Sequence, residues 1–287
     1  MKELCDEYMD ELLQLDPTLN DFFSGTSYPK HIQPNVYSEP YYAKLNQLQK
    51  KYIQKLSQKS NKTHYDEILF TDLNHSVHLE ENFEIYMYIP VDLYTNKLID
   101  YVTECSGNGY YLFQKPSDYK DFMGRMKSLT PITDEIIKKM KSGIKHKVTL
   151  YQKVVDEMIE QIQTILKNKS YHQKRVSFKK QWEQCIQMYL VSNLQRLLEF
   201  LITEYYPYCS TKWGLQSYKG GKQYYQRLLE YNILKNCNPQ ILHLFGKKEV
   251  KRLCKEIQKL SIQKPRSTYL YSIDIKKKKS FKKINYL

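Results

Sequence analysis

Glycine is scarce in this chain, with nine in 287 residues, beside ten prolines and two tryptophans. Where glycines do gather, they mark fixed turn geometry, because glycine serves where the backbone needs positive φ or close approach. No run approaches the ~18 apolar residues of a membrane-spanning helix, so no membrane span is expected. The start, MKELCDEYMDELL, is acidic and amphipathic and has no apolar h-region, which excludes a secretory signal on that stretch. Six cysteines lie at Cys5, Cys105, Cys185, Cys209, Cys237 and Cys254, and no two have the short gap of a zinc knuckle or redox pair. They read as reduced thiols of an intracellular, cytoplasmic protein, many of them buried as small hydrophobes. The seven histidines are His31, His64, His75, His78, His146, His172 and His243, and none is followed by Glu. Gly220-Gly221-Lys222 is no phosphate loop, since the spaced first glycine is absent and Gln follows the lysine. No Gly-x-Ser-x-Gly elbow occurs, and Cys209 near Trp213 has no assignable histidine base.

What is abundant is lysine and tyrosine. The net charge is +14, with Lys far outnumbering Arg, and the chain holds 27 tyrosines. A Tyr-rich core is workable because the ring is buried while the hydroxyl keeps a partner. Lys276 to Lys279, Lys282 and Lys283 place much of the excess charge in the last dozen residues. A basic balance raises nucleic acid or an anionic membrane as partners. Sequence-specific readers favour Arg forks, however, and no nucleic-acid-binding motif appears, so nucleic acid is not expected.

Apolar spacing in steps of three and four predicts a mainly α fold, with no βαβ alternation and no strand clusters. Expected helices are 1–15, 41–59, 65–86, 134–141, 151–166 and 182–206. Pro29, Pro34 and Pro40 predict an irregular stretch from 17 to 40. Ser106-Gly107-Asn108-Gly109 predicts a turn. Thr133 is read as a cap, after a break containing Pro131, and Gly143 as the close of that helix.

The densest pattern runs from Gly214 to Leu260. Gly214, Gly220 and Gly221 set a turn, which could carry a short hairpin between Ser217 and Gly221. Tyr224, Tyr225, Leu228 and Leu229 follow at helical spacing. Asn238 and Pro239 read as N-cap and first position of another helix, interrupted or ended by Gly246. Val250, Leu253, Cys254, Ile257 and Leu260 continue an apolar stripe.

These residues, GLxxYxGGxxYYxxLL followed by Asn-Pro, Ile-x-His, Gly and Glu-Val-x-Arg-Leu, resemble the signature of the bacterial family called domain of unknown function 885. The matching positions are Gly214, Gly221, Tyr224, His243, Gly246, Glu249, Val250 and Arg252. Weaker pieces lie upstream. LDPTLNDFFSG, from Leu15 to Gly25, resembles the family's opening, and DYKDFMGRMKSL, from Asp118 to Leu129, resembles its Asp-Tyr, Arg-Leu helix. Around Gly143 the family places two glycines, and here His146 or Lys147 stands for the second. The resemblance implies a helical fold similar to gluzincin-type zinc metallopeptidases. Family members are much longer than this chain, and their His-Glu zinc motif lies downstream of the segment matched here.

The expected organisation is therefore an incomplete helical domain over 1–260, resembling the family's front half, and a lysine-rich, disordered tail over 261–287. No catalytic or metal-ligating residue is assigned, and no cofactor is expected. His75 and His78, with Glu80 and Glu81, could supply metal ligands, since i, i+3 histidines share a helix face, but no third partner is identifiable. His243, Glu249 and Arg252 read as capping and ion-pairing residues, or as lining a cleft. The resulting expectation is a truncated, non-catalytic relative of the family, acting as a binding or scaffold module. An apolar patch near the C-terminal helices would be covered by a second polypeptide or by self-association. Two alternatives stand beside it. One is half of a zinc metallopeptidase completed by a separate chain, and the other is a weak polyanion binder acting through the basic tail.

Overall fold

The computed structural model describes residues 4–21, 31–82, 85–171, 178–233 and 238–263; of the stretch read as a tail, residues 261–263 belong to the last helix, and the rest lies outside the described residues. Among the described residues the chain is all-α, and its only β contact is an isolated bridge between Tyr151 and Ser210. It divides into two compact units, Met1–Leu228 and Leu229–Leu287.

The first unit opens with α1 (Leu4–Leu15) and a 3-10 turn (Pro17–Asp21). Helix α2 (Glu39–Gln58) starts earlier than the prolines suggest. Ser38 caps it by accepting from Tyr41 N, and Pro40 sits in the first turn, where its missing N–H costs nothing. Helix α3 (His64–Asn82) begins with a reciprocal cap, in which Thr63 Oγ1 accepts from Asp66 N at 3.2 Å and Asp66 Oδ2 accepts from Thr63 N at 2.7 Å. Tyr8, Leu48, Tyr52, Leu56 and Leu73 join α1, α2 and α3 in a small core of their own.

A short α4 (Ile85–Tyr88) leads to α5 (Lys97–Cys105), α6 (Pro116–Met126), α7 (Leu129–His146) and α8 (Gln152–Asn168). Helix α7 corrects the sequence reading. It runs unbroken through Pro131, and Thr133 Oγ1 donates to Leu129 O inside the helix and does not cap it. Gly143 is buried within the last turns and does not end them. A Cβ there would meet Val148 O at 2.5 Å and Tyr88 O at 3.0 Å, so the glycine serves close approach. The helix stops instead at Lys147, which adopts the left-handed conformation (φ 58°) and donates to Gly143 O and Ile144 O.

A continuous helical rod then runs through α9 (Lys179–Cys185), a π segment (Ile186–Val191), α10 (Ser192–Phe200), a second π segment (Leu201–Tyr205) and a 3-10 turn (Tyr206–Tyr208). Its apolar face, with Trp182, Leu190, Leu194, Leu197 and Leu201, closes the main core against α5 to α8. Phe113 and Tyr119 each meet the Trp182 ring edge-on at 5.5 Å. Burying each such side chain contributes roughly 1.5–3 kcal/mol, so this core carries most of the unit's stability.

No hairpin follows. Gly214 (φ 83°) and Gly220 (φ 74°) take the left-handed region that favours glycine, flanking a 3-10 turn (Leu215–Ser217) that leads into α11 (Gly221–Asn232). Beyond it, Asn238 Oδ1 accepts from Gln240 N and Ile241 N and caps α12 (Pro239–Gln263) as its sequence predicts. Gly246 neither interrupts nor ends α12.

Candidate functional site

The motif positions fall in two groups. In the first unit, Gly214 and Gly221 shape the turn before α11, Gly221 N donates to Tyr218 O, and Tyr224 is 5 % exposed. Tyr218 Oη donates to Thr149 O at 2.7 Å, which ties this turn to the loop before α8. In the second unit, His243 and Gly246 are exposed on α12, and Arg252 bridges Glu249 (2.8 Å) and Glu256 (2.7 Å) one helical turn to either side. The arrangement is a surface ion-pair ladder. Among the described residues, no three His, Cys, Asp or Glu side chains gather where they could hold a metal ion. Glu80 and Glu81 side chains, the companions considered for His75 and His78, lie outside the described residues.

A concave site of the first unit lies elsewhere, among residues not singled out as a set from the sequence. A cavity of about 340 Å³ is bounded by Asp21, α5, the loop after α5 and α6. Its floor is Tyr101, Phe122 and Arg125, none more than 3 % exposed. The Arg125 guanidinium lies 4.9 Å from the Tyr111 ring centre and pairs with Asp21, Nη2 donating to Oδ1 at 3.3 Å. Tyr101 Oη donates to Gln33 Oε1 at 2.9 Å, and Gln33 Nε2 donates to Pro34 O. The buried polar atoms of the floor are thus held by one another.

Helix α5 supplies one wall. Asn96 caps it by accepting from Leu98 N, and Leu98, Tyr101, Val102 and Cys105 turn inward. Lys97, Asp100 and Glu104 are thereby set one turn apart, all lining the cavity. Glu104 accepts from Tyr110 N (3.0 Å) and Tyr111 N (2.8 Å), pinning the loop that forms the lip. A Cβ at Gly109 would lie 2.1 Å from the Glu104 carboxylate, so a side chain there would push that carboxylate aside. Desolvation lifts the Glu104 carboxyl above its ordinary value, against the two backbone donors; Asp100 stands at the exposed rim, where partial desolvation lifts it against Lys97.

One signal for this site was present in the sequence. Asp21 and Arg125 sit in the two upstream stretches that carry the family resemblance, and the fold joins them. Asp100 and Glu104 gave no such signal, because carboxylates spaced i, i+4 on an amphipathic helix look like any solvated face.

The model of a family described as "Bacterial protein of unknown function (DUF885)" matches residues 21–276. The match runs past Leu260, where the resemblance seen in the sequence ended, and reaches into the stretch read as an unrelated tail. No curated protein matches the chain.

Proposed function

Because the chain belongs to the bacterial DUF885 family of unknown function, matched over residues 21–276, we propose that it acts as a non-catalytic module that binds a separate polypeptide through α12. The observation that carries this reading is the exposure of that helix. None of its described side chains is buried, and Ile241, Leu244, Phe245, Val250, Leu253, Ile257 and Leu260 are all largely exposed. Exposed apolar patches on one helix mark docking faces. A helix also draws most of its stability from packing its apolar side, not from propensity.

The occupant is a separate folded polypeptide with an apolar cleft and an acidic rim. At about 100° per residue, the stripe from Val250 to Leu260 is turned by roughly 150° from the patch of Ile241, Leu244 and Phe245. One helix–helix seam with a second copy would cover only one of the two. A partner that embraces α12 covers both. Lys247, Lys248, Lys251, Arg252, Lys255 and Lys259 outnumber Glu249 and Glu256 along the same helix, which favours carboxylates on the partner. If that partner bore the zinc motif, the pair would be a metallopeptidase, and this chain its non-catalytic half.

The test combines two assays on the purified chain. An apolar dye should bind strongly and lose most of its signal in a Leu253→Lys/Ile257→Lys variant whose thermal midpoint is unchanged. Absence of dye binding to the unmodified chain would mean α12 is already covered and would end the docking reading. Chelator-sensitive hydrolysis of a peptide library by the chain alone would overturn the non-catalytic reading.

A further inference from the structure

Independently of α12, we infer that the cavity between α5 and α6 binds a small zwitterion, an α-amino acid, with its ammonium at Asp100 and Glu104 and its carboxylate at Lys97. Three observations carry the assignment. The first is shape. The cavity of about 340 Å³ is at the small end of the ligand-pocket range of roughly 300–1,000 Å³, and its aromatic floor and lip are Tyr101, Phe122 and Tyr110.

The second is charge. Arg125 is already neutralised by Asp21, which leaves Lys97, Asp100 and Glu104 as the groups facing an occupant. Lys97 and Asp100 are three residues apart on α5 and could pair with each other, yet neither makes an ion pair among the described residues, and Asp100 accepts no hydrogen bond there. Opposite charges that stand open on one wall are complementary to a ligand carrying both signs. Glu104 is different, because its oxygens are committed to the Tyr110 and Tyr111 amides. It holds the lip in place and adds its field to that of Asp100.

The third is preorganisation. Gln33, Tyr101, Arg125 and Asp21 are bonded among themselves, so an occupant meets a floor that needs no rearrangement. The desolvation that raises Glu104 disfavours its charge, and an ammonium nearby would offset that cost.

The test uses three probes of matched size on the full chain, by titration calorimetry. They are norleucine, pentylamine (the same molecule without its carboxylate) and hexanoate (without its amine). Norleucine is expected to bind at least tenfold more tightly than either half. Lys97→Met should bring norleucine down to the level of pentylamine, and Asp100→Asn down to that of hexanoate. Both positions lie at the rim, outside the core clusters, so the folded state is checked by an unchanged helical spectrum. Equal binding of norleucine and pentylamine would reduce the site to a cation pocket and overturn the assignment. So would no binding of norleucine, or norleucine binding that survives the Lys97→Met/Asp100→Asn double variant. None of these outcomes bears on dye binding at α12, so the two readings fail separately.

Discussion

Arg125 and Asp21 stand 104 residues apart in the chain and meet in an ion pair whose arginine is 3 % exposed. The pair closes the path from the 3-10 turn after α1 to the last turn of α6. Removing one partner from such a pair leaves an uncompensated charge in the interior, at a cost of about 3–5 kcal/mol. Asp21→Ala should therefore destabilise the first unit by that order in urea unfolding. An Asp21→Ala/Arg125→Met double variant should recover much of the loss, since Met fills the stem volume without the charge. A double variant no better than the single would show that the pair acts through some other contact.

The left-handed cap of α7 gives a second expectation. Lys147 holds φ at 58°, a conformation that glycine adopts without strain. Lys147→Gly should raise stability by up to about 1 kcal/mol, because relief of the strain outweighs the added chain entropy. Gly143→Ala should do the reverse and more, since its Cβ has no room between Val148 O and Tyr88 O. Thermal unfolding of the two variants decides it, and a destabilised Lys147→Gly would place a needed contact in the lysine side chain.

Acid should loosen the start of α3. The Asp66 carboxyl is held down to about 2, from an ordinary 3.8, first by Lys59 and then by the Thr63 amide. Its folded pKa lies below its unfolded one. Ionised Asp66 thus adds stability in full above about pH 4, and that contribution is lost as the pH falls from there through about 2. Melting temperatures between pH 2 and 6 should drop less steeply in Asp66→Asn than in the unmodified chain, and parallel curves would refute the assignment.

Thiol reactivity should follow burial. Desolvation pushes the Cys185 and Cys209 thiols up to about 11 and lifts the fully buried Cys105 well above its ordinary value. Cys254 is exposed on α12. Alkylation at pH 8, followed by peptide mass spectrometry, should label Cys254 well before these three. Fast labelling of Cys209 would show a reactive thiol there and overturn the burial argument.

Helix existence was legible wherever apolar spacing was regular. The residues from Tyr151 to Leu166 announce α8, and Asn238-Pro239 announces the start of α12. Boundaries were less so, for physical reasons. Pro131 and Pro40 read as breaks, yet a proline in a first turn gives up only an N–H that has no helical partner. Gly143 read as a stop because its real cause, two carbonyls pressed against it, comes from Val148 just past the helix end and from Tyr88 across the fold. Gly246 read as a break, but one interior glycine costs only about 1 kcal/mol against alanine, which α12 absorbs. The exposed apolar face of α12 followed from its sequence stripe. The cavity did not, because Lys97, Asp100 and Glu104 become a wall only when Asp21 and α6 arrive opposite them.

The two π segments of the rod, Ile186–Val191 and Leu201–Tyr205, each close on the residue five back. Each therefore holds one residue more than an α turn in the same span. A relative lacking a single residue at either place would have a regular helix with an intact core face on both sides. Single-residue deletions in this rod are thus repairs of the helix, and evolution can gain or lose them there at little cost to the fold.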